Sequence, residues 1–237
     1  MKNYSILAML FLPFLFSSCK KEPYPSVIND AVFSCTEVQT DYFFEGELDG
    51  ERFCYHVGEN DYDMFLHRTT RFITSTPTLT VGDTSSVGNS GTFATWTIRT
   101  PIPESHLKHY IEINSPAFAV GTDLKTIIDS TIHEGELLLA SNNINRMEGF
   151  NVNLAIPHGD DNSSDISTAL SFFESLNGKQ ENSYLRITEL EIAERLGVLF
   201  YTVTFEFACD LYYFGNPDKH FGRLENGILR MAFEIEK

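Results

Sequence analysis

The stretch Phe43-Phe44-Glu45-Gly46-Glu47-Leu48-Asp49-Gly50-Glu51-Arg52-Phe53-Cys54-Tyr55-His56-Val57 decides the fold class. Asp-Gly stands between two runs of alternating side chains, and a two-residue Asp-Gly loop is the strongest short-range signal of a tight hairpin, because both central residues need positive φ. Counting outward from the turn puts Phe44, Gly46, Leu48, Phe53, Tyr55 and Val57 on one face. Glu45, Glu47, Arg52, Cys54 and His56 fall on the other. The first face belongs in a core. Glu47 lies opposite Arg52, a cross-strand pair that pins the register by roughly a few tenths of a kcal/mol.

The same pattern recurs along the chain. Asn226-Gly227 predicts a second hairpin between Phe221–Glu225 and Ile228–Ile235, burying Leu224, Leu229, Met231, Phe233 and Ile235. Strand-like runs lie at Thr92–Thr100, His109–Ser115, Glu136–Ala140, Phe150–Ile156, Tyr184–Ile192 and Val198–Tyr213, giving about ten strands. Two segments read as helices. Asp165–Asn177 has Ile166, Ala169, Leu170, Phe173 and Leu176 at helical spacing with Gly178 as a stop, and Leu124, Ile127, Ile128 and Ile132 follow Asp123 on one helical face. The run from Gly82 to Gly91 is a polar loop. Strands joined mainly by turns favour a sandwich or barrel over an α/β fold, because a parallel sheet needs a crossover helix for nearly every strand. The expected fold is mainly β: an antiparallel sandwich or barrel-like domain over residues 41–237 with one or two short helices.

Composition supports a packed domain. Hydrophobic residues make up 42% and aromatic residues 13% of the chain, enough apolar surface for a core. The net charge is −16. An acidic surface repels phosphate backbones and anionic headgroups, so nucleic-acid binding and electrostatic membrane docking are disfavoured.

Residues 1–18 read as a signal peptide. Lys2 is followed by an apolar run from Ile6 to Phe16, then Ser17, Ser18 and Cys19. Eleven helical residues rise only about 16 Å against a bilayer core of roughly 30 Å, so the run is too short to span. Small residues before a cysteine are what a lipoprotein signal peptidase requires, which makes Cys19 the expected lipidation site and a membrane anchor. Residues 19–40, with Pro23 and Pro25, read as the lipidated cysteine and a tether.

Leu15-Phe16-Ser17-Ser18-Cys19 resembles a lipobox, and Ser18-Cys19-Lys20-Lys21-Glu22 looks like the start of many lipoproteins of the Bacteroidota. In those proteins a charged stretch after the cysteine is associated with surface export. The body is similar to lipoproteins of this size in the same group, through Leu48-Asp49-Gly50-Glu51, Ser183-Tyr184-Leu185-Arg186-Ile187-Thr188 and Leu224-Glu225-Asn226-Gly227. The resemblance implies a β-sandwich in the cell envelope, on the outer membrane, facing outward or toward the periplasm. It supplies no catalytic residues.

Three cysteines remain after lipidation. Alternation places Cys209 on a core face and Cys54 on the polar face of its hairpin, so a single disulfide would join Cys35 to Cys54, with three free thiols as the alternative. Asp160, Asp161, Asn162 and Asp165 offer oxygens that a calcium ion takes, although turns and helix caps use the same residues. Glu59, Asp61 and Asp63 form an acidic cluster whose ordinary reading is a solvated loop. His106 and His109 are the one close histidine pair, at a strand entry. Serine-nucleophile and phosphate-binding glycine motifs are absent. In the closing hairpin Arg223 falls opposite Arg230, a destabilising arrangement unless a carboxylate such as Glu189, Glu191 or Glu206 intervenes, or an acidic ligand does.

These readings point to a non-enzymatic binding module needing no cofactor, with glycan the leading ligand class. An accessory or adhesin-like protein acting through protein contacts is the alternative, and a hydrolase the third. Protein isolated from its native membrane is expected to lack residues 1–18 and to carry acyl mass on Cys19, read by intact mass. A retained leader or an unmodified thiol overturns the anchor.

Overall fold

The computed structural model describes residues 40–59, 62–73, 89–99, 110–140, 149–157, 170–175, 180–213 and 219–237. They build eleven strands and one helix: β1 (Phe43–Leu48), β2 (Glu51–His56), β3 (Asp63–Ile73), β4 (Asn89–Arg99), β5 (Tyr110–Asn114), α1 (Leu124–Thr131), β6 (Gly135–Leu137), β7 (Asn151–Pro157), β8 (Leu170–Glu174), β9 (Tyr184–Arg195), β10 (Val198–Tyr213) and β11 (His220–Glu236). All paired strands are antiparallel. One layer runs β2-β1-β11-β10-β9-β6 and the other β8-β7-β5-β4-β3. The layers are not closed into a barrel, and the arrangement is sandwich-like.

The opening hairpin forms as its sequence dictates. Asp49 and Gly50 take φ of 50° and 86°, and Glu47 pairs with Arg52. The alternation then carries the packing. Inward residues of the two layers meet around Trp96, whose ring lies 5.5 Å from Phe205 and 6.4 Å from Phe233. Phe44 stacks on Phe207, Tyr55 packs on Phe44, and Tyr62 stacks on Tyr55 at 4.8 Å, so aromatic contact continues under the hairpin. Helix α1 begins where Asp123 accepts from the Thr126 amide at 2.8 Å, and it buries Ile127 and Ile128.

Strand β10 belongs to both layers. Along Val198–Ala208 one of its edges pairs with β9, and at Tyr212 and Tyr213 that edge pairs with β8. Between them the Asp210 backbone has no strand partner on that side. The Gln180 side chain fills the gap, donating to the carbonyls of Asp210 at 2.8 Å and Ser175 at 2.6 Å, while its Oε1 accepts from the Asp210 amide at 3.0 Å. At the opposite corner the Ala232 amide donates to Met64 Sδ at 3.4 Å, bringing β3 against β11 beyond the end of β1.

Three expectations are corrected. Asn226-Gly227 is not a hairpin turn: β11 is one strand of 17 residues. The positive φ of Asn226, at 51°, makes a bulge, and the registers to β1 and β10 both shift across it. Gly227 is required because the Phe207 ring would lie 2.8 Å from a Cβ there. Second, Leu170–Glu174 is strand β8 within the expected helix 165–177, because pairing with β7 and β10 overrides a short apolar run that fits either period. Third, β3 is absent from the strand-like runs, since Arg68-Thr69-Thr70-Arg71 is polar or charged throughout and breaks the alternation of apolar and polar residues.

Gly227→Ala is expected to destabilise by about 1–3 kcal/mol through overpacking against fully buried Phe207, read as a lower urea midpoint. Burial raises the phenols of Tyr55 and Tyr62 above their ordinary value of 10, with the neighbouring Tyr62 adding to the effect on Tyr55. Their folded pKa values lie above the unfolded ones, so the stability from keeping them neutral is complete below pH 10 and is lost as pH rises toward the folded values. Tyr62→Phe is expected to lose less stability than wild type between neutral pH and about pH 11 in the same urea assay.

Candidate functional site

Strands β4, β5 and β7 alternate apolar and polar residues. Their apolar members Trp96, Ile98, Ile111, Ile113, Val152 and Leu154 are all fully buried between the layers. The opposite face carries Thr95 and Thr97 from β4, Glu112 and Asn114 from β5, and Asn151 and Asn153 from β7. Register aligns them in two rows, Thr95-Asn114-Asn151 and Thr97-Glu112-Asn153. An outward stripe of this kind is ordinarily solvated, but here Thr95, Thr97, Asn114, Asn151 and Asn153 are buried.

Burial obliges these groups to find partners. Thr95 Oγ1 donates to Asn114 Oδ1 at 2.7 Å, Asn151 Nδ2 donates to Asn153 Oδ1 at 2.8 Å, and Asn153 Nδ2 donates to Glu112 at 3.2 Å. Three atoms of the same stripe remain: Thr97 Oγ1, Asn114 Nδ2 and Asn151 Oδ1 have no hydrogen-bond partner among the described residues. Each would cost about 1–3 kcal/mol if left dry. The set combines a donor, an acceptor and a hydroxyl that is either. Arg99, at the end of the stripe, is engaged over the Phe65 ring at 4.3 Å. The arrangement suits neutral hydroxyl or amide groups better than an anion.

A second cluster lies on the outer face of the opening hairpin. Arg52 bridges to Glu45 at 2.7 Å, the diagonal neighbour, and not to Glu47 across from it. His56 is buried, with Nδ1 3.3 Å from Glu59 Oε2 and Nε2 3.5 Å from Glu45 Oε1. Glu59 is placed by a turn in which the Glu59 amide donates to the His56 carbonyl and the Tyr62 amide to the Glu59 carbonyl, and buried Tyr62 anchors that turn on Tyr55. Cys54 is disulfide-bonded, and its partner lies outside the described residues. Cys209 is a free thiol in the core, as its alternation predicts, and burial pushes its pKa well above the usual thiol range.

The like-charge conflict expected of Arg223 and Arg230 dissolves with the hairpin that produced it. Arg223 pairs with Asp210 at 3.3 Å and Glu225 at 3.1 Å and donates to the Asn182 carbonyl. Arg230 pairs with Glu189 and donates to Thr204 Oγ1. Within the acidic cluster, Glu59 turns to His56 while Asp63 starts β3 and accepts from the Met64 amide. Asp61, His106, His109, the calcium candidates Asp160, Asp161, Asn162 and Asp165, residues 1–18, Cys19 and Cys35 all lie outside the described residues. Among the described residues no helix is long and apolar enough to cross a membrane.

The Thr-Asn stripe escaped the sequence reading because every second residue of a half-buried strand is polar, and only the tertiary structure reveals that this face is shut away from solvent. The runs Thr95-x-Thr97, Glu112-x-Asn114 and Asn151-x-Asn153 carry a faint signal: five of the six are amides or hydroxyls, where a solvated face would carry mostly Lys and Glu. Compared with known protein families, with curated proteins and with solved structures, the chain matches none of them.

Proposed function

We propose that this chain is a non-enzymatic binding module of the cell envelope, held at the outer membrane by a lipid on Cys19. Its ligand is neutral and hydroxyl-rich, of the glycan class, and its ligand face is the Thr-Asn stripe of β4, β5 and β7. The observation that carries this reading is the set of buried atoms on the two neighbouring rows that have no partner among the described residues, Thr97 Oγ1, Asn114 Nδ2 and Asn151 Oδ1. A sugar hydroxyl both donates and accepts, so neighbouring hydroxyls satisfy all three. Because the atoms are buried, the ligand reaches them by inserting a hydroxyl group. The lipid rests on the sequence Ser17-Ser18-Cys19, and with Cys35 tied to the domain a spacer of residues 20–34 would let it reach at most about 50 Å from the membrane. Cys35 is the proposed partner of Cys54, since Cys19 is committed to the lipid.

A second reading, contact with another envelope protein, has its own support. Leu196, at the turn of the β9–β10 hairpin, is 94% exposed, and Ile192 and Phe200 on its two strands are 55% and 41% exposed. Register puts Ile192 on the Tyr201 face of the hairpin and Phe200 on the opposite one, so the contact offered to a partner is the Leu196 tip, which a clasping surface would cover from both sides.

Thr97→Val separates binding from folding, because it removes only a hydroxyl that has no partner among the described residues. Its stability is expected to equal or exceed wild type by about 1 kcal/mol in urea unfolding. On a glycan panel, affinity for the bound glycan is expected to fall about tenfold. A panel negative for wild type sinks the glycan reading. A discrete protein adduct from a photo-crosslinker at Leu196 in native membranes then favours the second.

A further inference from the structure

We propose that Glu45, Cys54 and His56 form a binding site for a zinc-class divalent metal ion that opens when the Cys54 disulfide is reduced. Register alone assembles the ligands. Glu45 lies directly across from Cys54, and His56 follows Cys54 by two residues, so all three side chains share the outer face of the β1–β2 hairpin. Their ligand atoms lie within 4.8 Å of one another. Tetrahedral zinc, with bonds of about 2.0–2.3 Å, sets its ligands roughly 3.3–3.8 Å apart, so closure draws the ligand atoms together by at most about 1.5 Å. Cys54 and His56 are only 6% and 5% exposed, which shelters the site from bulk water.

The surroundings orient the ligands as metal sites do. In the tautomer with the proton on Nδ1, that N–H of His56 donates to Glu59 Oε2 at 3.3 Å, which leaves the Nε2 lone pair directed toward Glu45 for an ion between them. A carboxylate behind a ligating imidazole is the arrangement that fixes its tautomer and raises its basicity. Arg52 holds Glu45 Oε2 at 2.7 Å and so leaves Oε1 for the ion. The Phe43 ring meets the imidazole edge-on at 6.2 Å and limits its rotation. Sulfur, nitrogen and oxygen together suit zinc or cobalt over calcium or magnesium, and three protein ligands leave a fourth position open.

The disulfide and the metal are mutually exclusive uses of one sulfur. In the oxidised chain only Glu45 and His56 offer lone pairs suited to the ion. A dithiol reductant supplies two electrons and two protons, the sulfur–sulfur bond breaks into two thiols, and the reductant becomes its own disulfide. The ion then displaces the proton of the Cys54 thiol to solvent as the metal–sulfur bond forms.

Cobalt(II) is the probe. Protein reduced with a dithiol and freed of it by gel filtration under argon is expected to show tetrahedral cobalt bands with a near-ultraviolet thiolate charge-transfer band. Oxidised protein is expected to lack them. Cys54→Ser removes the bands, and Glu59→Gln weakens cobalt binding about tenfold. Near-ultraviolet circular dichroism reports that each variant keeps its aromatic packing. Should His56→Gln fail to fold, Glu45→Gln, which keeps size and shape, carries the same test. A reduced wild type without the charge-transfer band overturns the site, as does a band that persists in Cys54→Ser.

Discussion

One side chain completes the seam on which the sandwich depends. Where the edge of β10 leaves β9 and has not yet met β8, the Asp210 amide and carbonyl would be left without partners, and buried backbone groups do not tolerate that. Gln180 offers a donor and an acceptor in the geometry of a peptide group, and it also ties in Ser175 at the end of β8. One strand can therefore serve two layers. Residues Val203, Phe205 and Phe207 of β10 face the same interior that Trp96 enters from the other layer.

From that seam both candidate surfaces follow. The second layer hangs from β8, so its strands β7, β5 and β4 are set side by side with Asn151, Asn114 and Thr95 in one row. The first layer ends at the β1–β2 hairpin, and the bulge at Asn226-Gly227 lets β11 change its register against β1 there. The two surfaces lie on outward faces of different layers, with the aromatic core between them. The polar stripe is built mainly of amides and hydroxyls around the single carboxylate of Glu112, whereas the hairpin face is built of charged groups around a buried imidazole.

What could be read from the residues followed the strength of the local constraint. Asp49-Gly50 has few conformations open to it, so the β1–β2 turn, its register and its two faces were legible. The spacing of Leu124, Ile127 and Ile128 announced α1, and the structure adds the Asp123 cap that starts it. Asn226-Gly227 carries the same chemistry as a turn, but positive φ serves a bulge equally well, and the choice was made by β1 and β10 on either side. Leu170–Glu174 was decided by its neighbours in the same way. The hairpin cluster was half legible: alternation put Glu45, Cys54 and His56 on one face, whereas the approach of Glu59 depends on a turn anchored by Tyr62. The stripe was illegible, because burial of a polar face is a property of the assembled chain.

Strand β9 meets β6 only at Leu185–Ile187, so among the described residues the edge from Glu189 to Arg195 carries no neighbouring strand. Bare edges invite other chains to add on as further strands, ending in fibres. Here Glu189, Glu191 and Glu194 stand along the edge, the first paired with Arg230 and the last with Lys237, so a second copy approaching it would meet the Glu191 carboxylate and two ion pairs that it must disturb. For copies of the chain crowded side by side, so uninviting an edge is a safeguard against lateral polymerisation that dilute solution would never reveal.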